Sequence, residues 1–109
     1  MTRHVMVLLH TGRREALDAA RSVCRTLSDD GIVPTLLEPD AAAVIAHHAA
    51  HSDGAELPSL RTVREAEISD TRALIEIAIV LGGDGTILRP AELFFGTDVP
   101  TLGVNPGHV

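Results

Sequence analysis

Apolar residues along the chain come in two textures. Four short runs are almost wholly apolar: residues 5–9 (Val-Met-Val-Leu-Leu), 32–37 (Ile-Val-Pro-Thr-Leu-Leu), 77–81 (Ile-Ala-Ile-Val-Leu) and 100–104 (Pro-Thr-Leu-Gly-Val). Each is too short for a helix and rich in β-branched residues, which predicts strands, with 77–81 buried on both faces. Between the first two runs the texture changes. Ala16, Ala20, Val23 and Leu27 recur at helical spacing, with Leu17 and Cys24 beside them, predicting a helix over 13–29. Gly31 is placed to end that helix in a left-handed conformation. Pro34 favours the edge of a sheet or the beginning of a strand. After Pro39, Asp40 is a plausible N-cap for a second helix over 41–51.

Residues 52–69 carry no clean period. Asp53-Gly54 and Pro58 mark loop, and a short edge strand or a disordered excursion fits equally well. One helical turn is expected over 70–76 and a further helix over 86–95. The resulting order, β-α-β-α-(β)-β-α-β, predicts a doubly wound α/β fold with a mostly parallel sheet and right-handed crossovers. At 109 residues a single domain is expected.

Composition narrows the class of protein. Hydrophobic residues make up 45% of the chain, but it has no Trp, no Tyr and two Phe, so the core must be built from small aliphatic side chains. A net charge of −6 argues against nucleic acid, whose binders usually carry a basic patch. Phosphorylated small molecules stay open, because loop amides, helix ends and metal ions can hold them. A single Cys24 excludes an internal disulfide and suits a reducing compartment. The apolar run behind the basic start is too short for a signal peptide, and no stretch approaches the ~18 apolar residues of a membrane span. A cytoplasmic protein without membrane contact is the expectation.

The chemistry concentrates where the 77–81 run breaks into Gly82-Gly83-Asp84-Gly85-Thr86. Glycines let backbone N–H groups approach a ligand closely, and a carboxylate there lies between the end of a strand and the start of a helix. No Gly-x-x-x-x-Gly-Lys-Ser/Thr segment occurs, which removes a P-loop. The dinucleotide fingerprint fails as well, since Leu88 occupies the third glycine position. Taken alone, Gly-Gly-Asp-Gly is often only a tight turn.

Its surroundings say more. Val80-Leu81-Gly82-Gly83-Asp84-Gly85-Thr86-Ile87-Leu88-Arg89, then Pro100-Thr101-Leu102-Gly103-Val104-Asn105 and Gly107-His108, resemble the NAD kinases, within the superfamily that also holds diacylglycerol kinases and 6-phosphofructokinases. His10-Thr11-Gly12-Arg13 resembles the NAD kinases of high-GC bacteria. The strong resemblance covers 77–109, with a weaker match over 5–27. It implies a Rossmann-like N-terminal domain and phosphoryl transfer from ATP, or polyphosphate, to the 2′-hydroxyl of NAD, giving NADP. It further implies Asp84 as general base, with Gly85 and Arg89 holding the NAD nucleotide, Mg²⁺ as the metal, and a homo-oligomer for the full-length protein. The family's second, mainly β domain has no counterpart in these 109 residues. The alternative is therefore a truncated, non-catalytic nucleotide-binding or interaction module. A lipid kinase is disfavoured, because no basic amphipathic segment or Gly-Thr-Gly-Asn-Asp sequence is found.

Departures and side candidates complete the picture. Pro90, near the start of the 86–95 helix, crowds the carbonyl of Thr86 and would shift Arg89 if it kinks the helix. Pro106 pushes Asn105 toward an extended conformation. His47, His48 and His51 suggest a metal, but no third ligand class accompanies the i, i+4 pair, and a solvated helix face is expected instead. His10 closes the first strand and is read as a loop histidine at the sheet's functional edge. Cys24 is read as a small core hydrophobe.

Overall fold

A computed structural model describes residues 3–10, 14–51, 56–82, 94 and 97–104. Its core is a five-stranded sheet of order β3-β2-β1-β4-β5, with every neighbouring pair parallel. The elements are β1 (Arg3–Leu9), α1 (Arg14–Asp29), β2 (Ile32–Leu37), α2 (Glu38–His51), β3 (Arg61–Val63), α3 (Ile68–Thr71), β4 (Ile75–Leu81) and β5 (Thr101–Val104). Single 3₁₀ turns at Glu65–Glu67 and Arg72–Leu74 flank α3. The α/β class and parallel sheet agree with the alternation of textures in the sequence. In the region the sequence left open, the edge strand is what forms.

β1 lies at the centre because its Val5–Leu9 run can be buried on both faces, and all five side chains are 4% exposed or less. Side chains alternate across a strand, so the sheet separates two cores. On one face Val7, Leu9, Leu36 and Leu81 meet Ala16, Ala20 and Cys24 of α1 and Ala41 and Val44 of α2. The helix residues here are small, which lets α1 lie close on the sheet. On the other face Met6, Leu8, Leu37, Val63, Ile75 and Ala78 pack with Ile68 of α3 and with Phe94. Consecutive crossovers explain this sidedness. Steps from β1 to β2 to β3 run one way and place α1 and α2 on one face; the return from β3 to β4 runs the other way, and right-handedness puts it on the opposite face.

Four expectations are corrected. α2 begins at Glu38, not after Asp40, so Pro39 and Asp40 belong to its first turn, where a missing N–H breaks no hydrogen bond. β2 is an interior strand, yet Pro34 fits because the pairing with β3 starts only at Thr35. The helical turns before β4 span 65–74, and the strand starts at Ile75, where exposed Glu76 forms a bidentate pair with Arg3 of β1 at 2.9 and 2.6 Å. Finally, β4 is not buried on both faces: Ile77, Ile79 and Val80 are only half-buried. Gly31 does take the left-handed conformation, with φ 76°, immediately after α1.

Candidate functional site

In an open parallel sheet the ligand crevice opens beyond the carboxyl ends of the strands, where successive connections diverge to opposite faces. Here that point lies between β1 and β4, because β1 leads leftward to β2 while the chain returns to β4 on β1's other side. Backbone hydrogen bonds tie the strand ends together. The His10 N–H donates to the Leu81 carbonyl at 3.2 Å, and the Gly82 N–H donates to the Val104 carbonyl at 3.0 Å. β1, β4 and β5 therefore finish on one rim, and α1, following β1, starts from the same rim with its positive dipole end toward it.

On the β2 side of β1, the ladder with β2 is paired only as far as Met6 and Thr35. Beyond that point the Asp40 carboxyl, at the start of α2, lies close to the Leu9 backbone amide. Burial dominates this carboxyl and pushes its pKa up to about 6, the Leu9 amide pulling the other way. His10 is exposed on the rim, as a residue able to meet a ligand must be.

Asp84, Gly85 and Arg89 lie outside the described residues, as do Asn105, Pro106 and the predicted 86–95 helix except Phe94. The described chain leads into that segment through Gly82, half-buried at the switch point. A separate cleft of about 380 Å³, lined by Gly31, Pro34, Ser59 and Arg61 among others, sits where β2 and β3 begin. It lies at the amino ends of these strands, away from the rim where β1, β4 and β5 finish.

The histidines need a correction. His47 is 8% exposed rather than on a solvated face, and its Nε2 hydrogen-bonds Asp18 Oδ1 of α1 at 2.6 Å. The His51 ring lies 4.3 Å from that of His47 and donates from Nδ1 to the His47 carbonyl at 3.0 Å. Arg14 and Arg21 stand at 4.0 and 3.9 Å from the Asp18 carboxylate. These contacts join α1 to α2 and form no metal centre; among the described residues no group of three His, Cys, Asp or Glu could hold one. A signal was present in the sequence: Ala41, Val44 and His47 recur every third residue, and all three are buried. Asp40's link to Leu9 had no such signal, because nothing in sequence order joins them.

Comparison with known proteins decides the family. The model of the ATP-NAD kinase N-terminal domain matches residues 5–109. The chain belongs to the ATP-NAD kinase family. Among its relatives, the NAD kinase of Leifsonia xyli subsp. xyli is 48% identical over 107 residues, which is 98% of this chain and 32% of that protein. The NAD kinase of Mycolicibacterium paratuberculosis is 40% identical over 107 residues, covering 98% and 34%. That of Mycobacterium tuberculosis is 38% identical over 113 residues, covering 100% and 36%. The chain thus spans about a third of the length of the curated relatives it matches. No helix among the described residues is long and apolar enough to cross a membrane.

Proposed function

We propose that the full-length protein transfers a phosphoryl group from ATP, or polyphosphate, to the 2′-hydroxyl of NAD, forming NADP. In this reading Asp84 takes the proton from the attacking hydroxyl, while Gly85 and Arg89 hold the NAD nucleotide. The observation that supports it is the coincidence of sequence and topology: β4, whose carboxyl end lies at the switch point beside β1, is followed in the sequence by Gly-Gly-Asp-Gly-Thr, within a chain of the ATP-NAD kinase family. A hydroxyl is a poor nucleophile until a positioned base takes its proton, so the acid–base step alone is worth ~10²–10⁴ in rate. The rest of phosphoryl transfer rests on positioning and charge neutralisation. Mg²⁺ is the expected metal. The reading leaves it with the phosphates of bound ATP, and no protein step is drawn through it.

The partial span of the relatives also supports a second reading for the isolated 109 residues: a nucleotide-binding module with little or no turnover. In the full-length protein a cytoplasmic homo-oligomer acting on small nucleotides, without nucleic acid, is expected. The deciding experiment is Asp84→Asn in the full-length enzyme, assayed for NADP formation. Turnover is expected to fall by ~10²-fold or more with the folded circular dichroism spectrum unchanged. An Asp84→Asn enzyme that keeps the parent rate would overturn the assignment of the base.

A further inference from the structure

Leu9 is the last residue of β1 and is 4% exposed. Along a strand, successive N–H groups point alternately to the two neighbouring strands. The His10 N–H goes to Leu81 of β4, so the Leu9 N–H points toward β2. The β1–β2 ladder has already ended there, its last pair being Met6 with Thr35. A buried amide beyond the end of a ladder needs an acceptor from elsewhere. The first turn of α2 offers one. The Asp40 carboxyl lies close to the Leu9 amide, and Ala41 beside it belongs to the same buried cluster as Leu9.

Helix formation does not account for this placement. An acid in a first turn ordinarily stays in water and favours the helix dipole, as exposed Glu38 does here. Asp40 is half-buried instead, and burial works against its charge. What its carboxyl meets is the end of β1, one wall of the crevice at the switch point. Exposed His10 follows at once on the rim, and the chain goes on from there to the start of α1 at Arg14.

We propose that Asp40 is a positioning residue of the nucleotide site: by holding the Leu9 amide it fixes the carboxyl end of β1, and with it the rim that receives nucleotide. Resting on the nucleotide reading given above, this role gives Asp40 no contact with a reacting atom. It sets how well the rim is formed before a ligand arrives, and so acts on affinity.

The test measures NAD and ATP binding to the full-length protein by calorimetry, in the parent, Asp40→Ala, Asp40→Asn and Glu38→Ala. Alanine removes the acceptor, asparagine keeps an oxygen for the Leu9 amide, and Glu38→Ala removes an exposed charge from the same turn. Asp40→Ala is expected to weaken binding of at least one nucleotide by roughly fivefold, about the worth of one hydrogen bond. Asp40→Asn is expected to recover most of that loss, and Glu38→Ala to bind as the parent does. Hydrogen exchange at the Leu9 amide should be faster in Asp40→Ala than in Asp40→Asn. Parent-like affinity for both nucleotides in Asp40→Ala overturns the proposal. So does an Asp40→Asn protein as weak as Asp40→Ala, since the charge and not the held amide would then matter. A loss of affinity with unchanged exchange at Leu9 overturns it as well. Should Asp40→Ala fail to fold, Asp40→Ser, with a shorter side chain, gives the same comparison. A parent that binds neither nucleotide sinks the nucleotide reading itself, whereas a parent that binds beside an equal Asp40→Ala sinks this role alone.

Discussion

The two halves of the sheet are built from similar apolar runs but end in different states. On the β1–β2 side, Val7 and Leu36 are completely buried because α1 and α2 cover the face above them. On the β4–β5 side, Ile77, Ile79 and Val80 stay half-buried, and all four residues of β5 are exposed. Sequence composition does not separate the halves; Ile-Ala-Ile-Val-Leu is as apolar as Val-Met-Val-Leu-Leu. The difference comes from the direction in which the chain crosses the sheet. Burial is a property of the connections as much as of the strands, and reading it from a run of residues assumes a cover that another part of the chain must supply.

The largest expected effect tests whether the covered half is as tightly packed as its burial implies. Leu36→Ala removes a completely buried side chain beneath α1 and α2, and is expected to cost about 2–5 kcal/mol by urea denaturation of the full-length protein. Ile45→Ala, on the exposed side of α2, should stay within about 0.5 kcal/mol. A cost below about 1 kcal/mol for Leu36→Ala would mean that this face relaxes around a cavity, against the close packing seen here.

Two aspartates on the covered half bring the comparison to its polar seams, and their pH dependences carry opposite signs. Burial raises the folded-state pKa of Asp40 to about 6, well above its ordinary value of 3.8. Between those values the folded protein keeps a proton that the unfolded chain releases, so stability declines as pH rises through this window and the full penalty applies above it. Asp40→Asn keeps an oxygen for the Leu9 amide and removes the charge. At pH 7 it is expected to stabilise the protein by on the order of 1 kcal/mol, a figure already discounted for the carboxyl's partial contact with water, and the gain should vanish by about pH 4. A variant less stable than its parent at pH 7 would show that the charged carboxylate is favoured at this rim.

Asp18 behaves the other way. The hydrogen bond from His47 is the largest influence, and with Arg14 and Arg21 it holds the Asp18 carboxyl below the usual range. Its stabilising contribution is therefore complete above the ordinary carboxylate pKa and is lost as pH falls through the lowered one. The groups facing it are His47 from α2, with the tilted ring of His51 behind it, and Arg14 and Arg21 on its own helix. Asp18→Asn is expected to lower the urea midpoint at pH 7, and the difference from the parent should narrow as pH falls below the ordinary carboxylate range. The side chain is half exposed, so the loss should be no more than about 1 kcal/mol. A gap that stays unchanged from neutral pH to well below the ordinary carboxylate range would assign the effect to packing at the α1–α2 seam.

Much of the fold was legible in the sequence because local pattern and global position agree. The 32–37 run forms β2 over those same residues, and α1 ends at Asp29 with Gly31 left-handed beyond it. What was not legible depended on residues distant in sequence. Glu76 interrupts the apolar run, and its inclusion in β4 makes sense only once Arg3, 73 positions earlier, lies beside it. His47 read as one of three surface histidines because its partner Asp18 belongs to another helix. The candidate site divides the same way. The glycine–aspartate segment was visible as a motif, whereas the switch point at the carboxyl end of β4 required the strand order. Asp40 at that rim had no sequence signal, since its link to β1 depends on where the β1–β2 ladder stops.

The smallest expected effect concerns an imperfection within the covered sheet. Thr35 on β2 is fully inaccessible, paired in register with Met6, and its hydroxyl has no hydrogen-bond partner among the described residues. A buried hydroxyl without a partner has lost its water and gained nothing in exchange. Valine keeps the β-branched shape, the restricted χ1 and the preference for a strand, so Thr35→Val exchanges only the hydroxyl for a methyl. The substitution is expected to stabilise the protein by up to about 1 kcal/mol, measured as a higher urea midpoint with an unchanged slope. Because this change creates no cavity and moves no charge, its sign is informative where its size is small. Destabilisation by more than about 0.5 kcal/mol would mean that the hydroxyl is satisfied in the full-length protein, and that β2 takes a polar contact from chain outside the described residues.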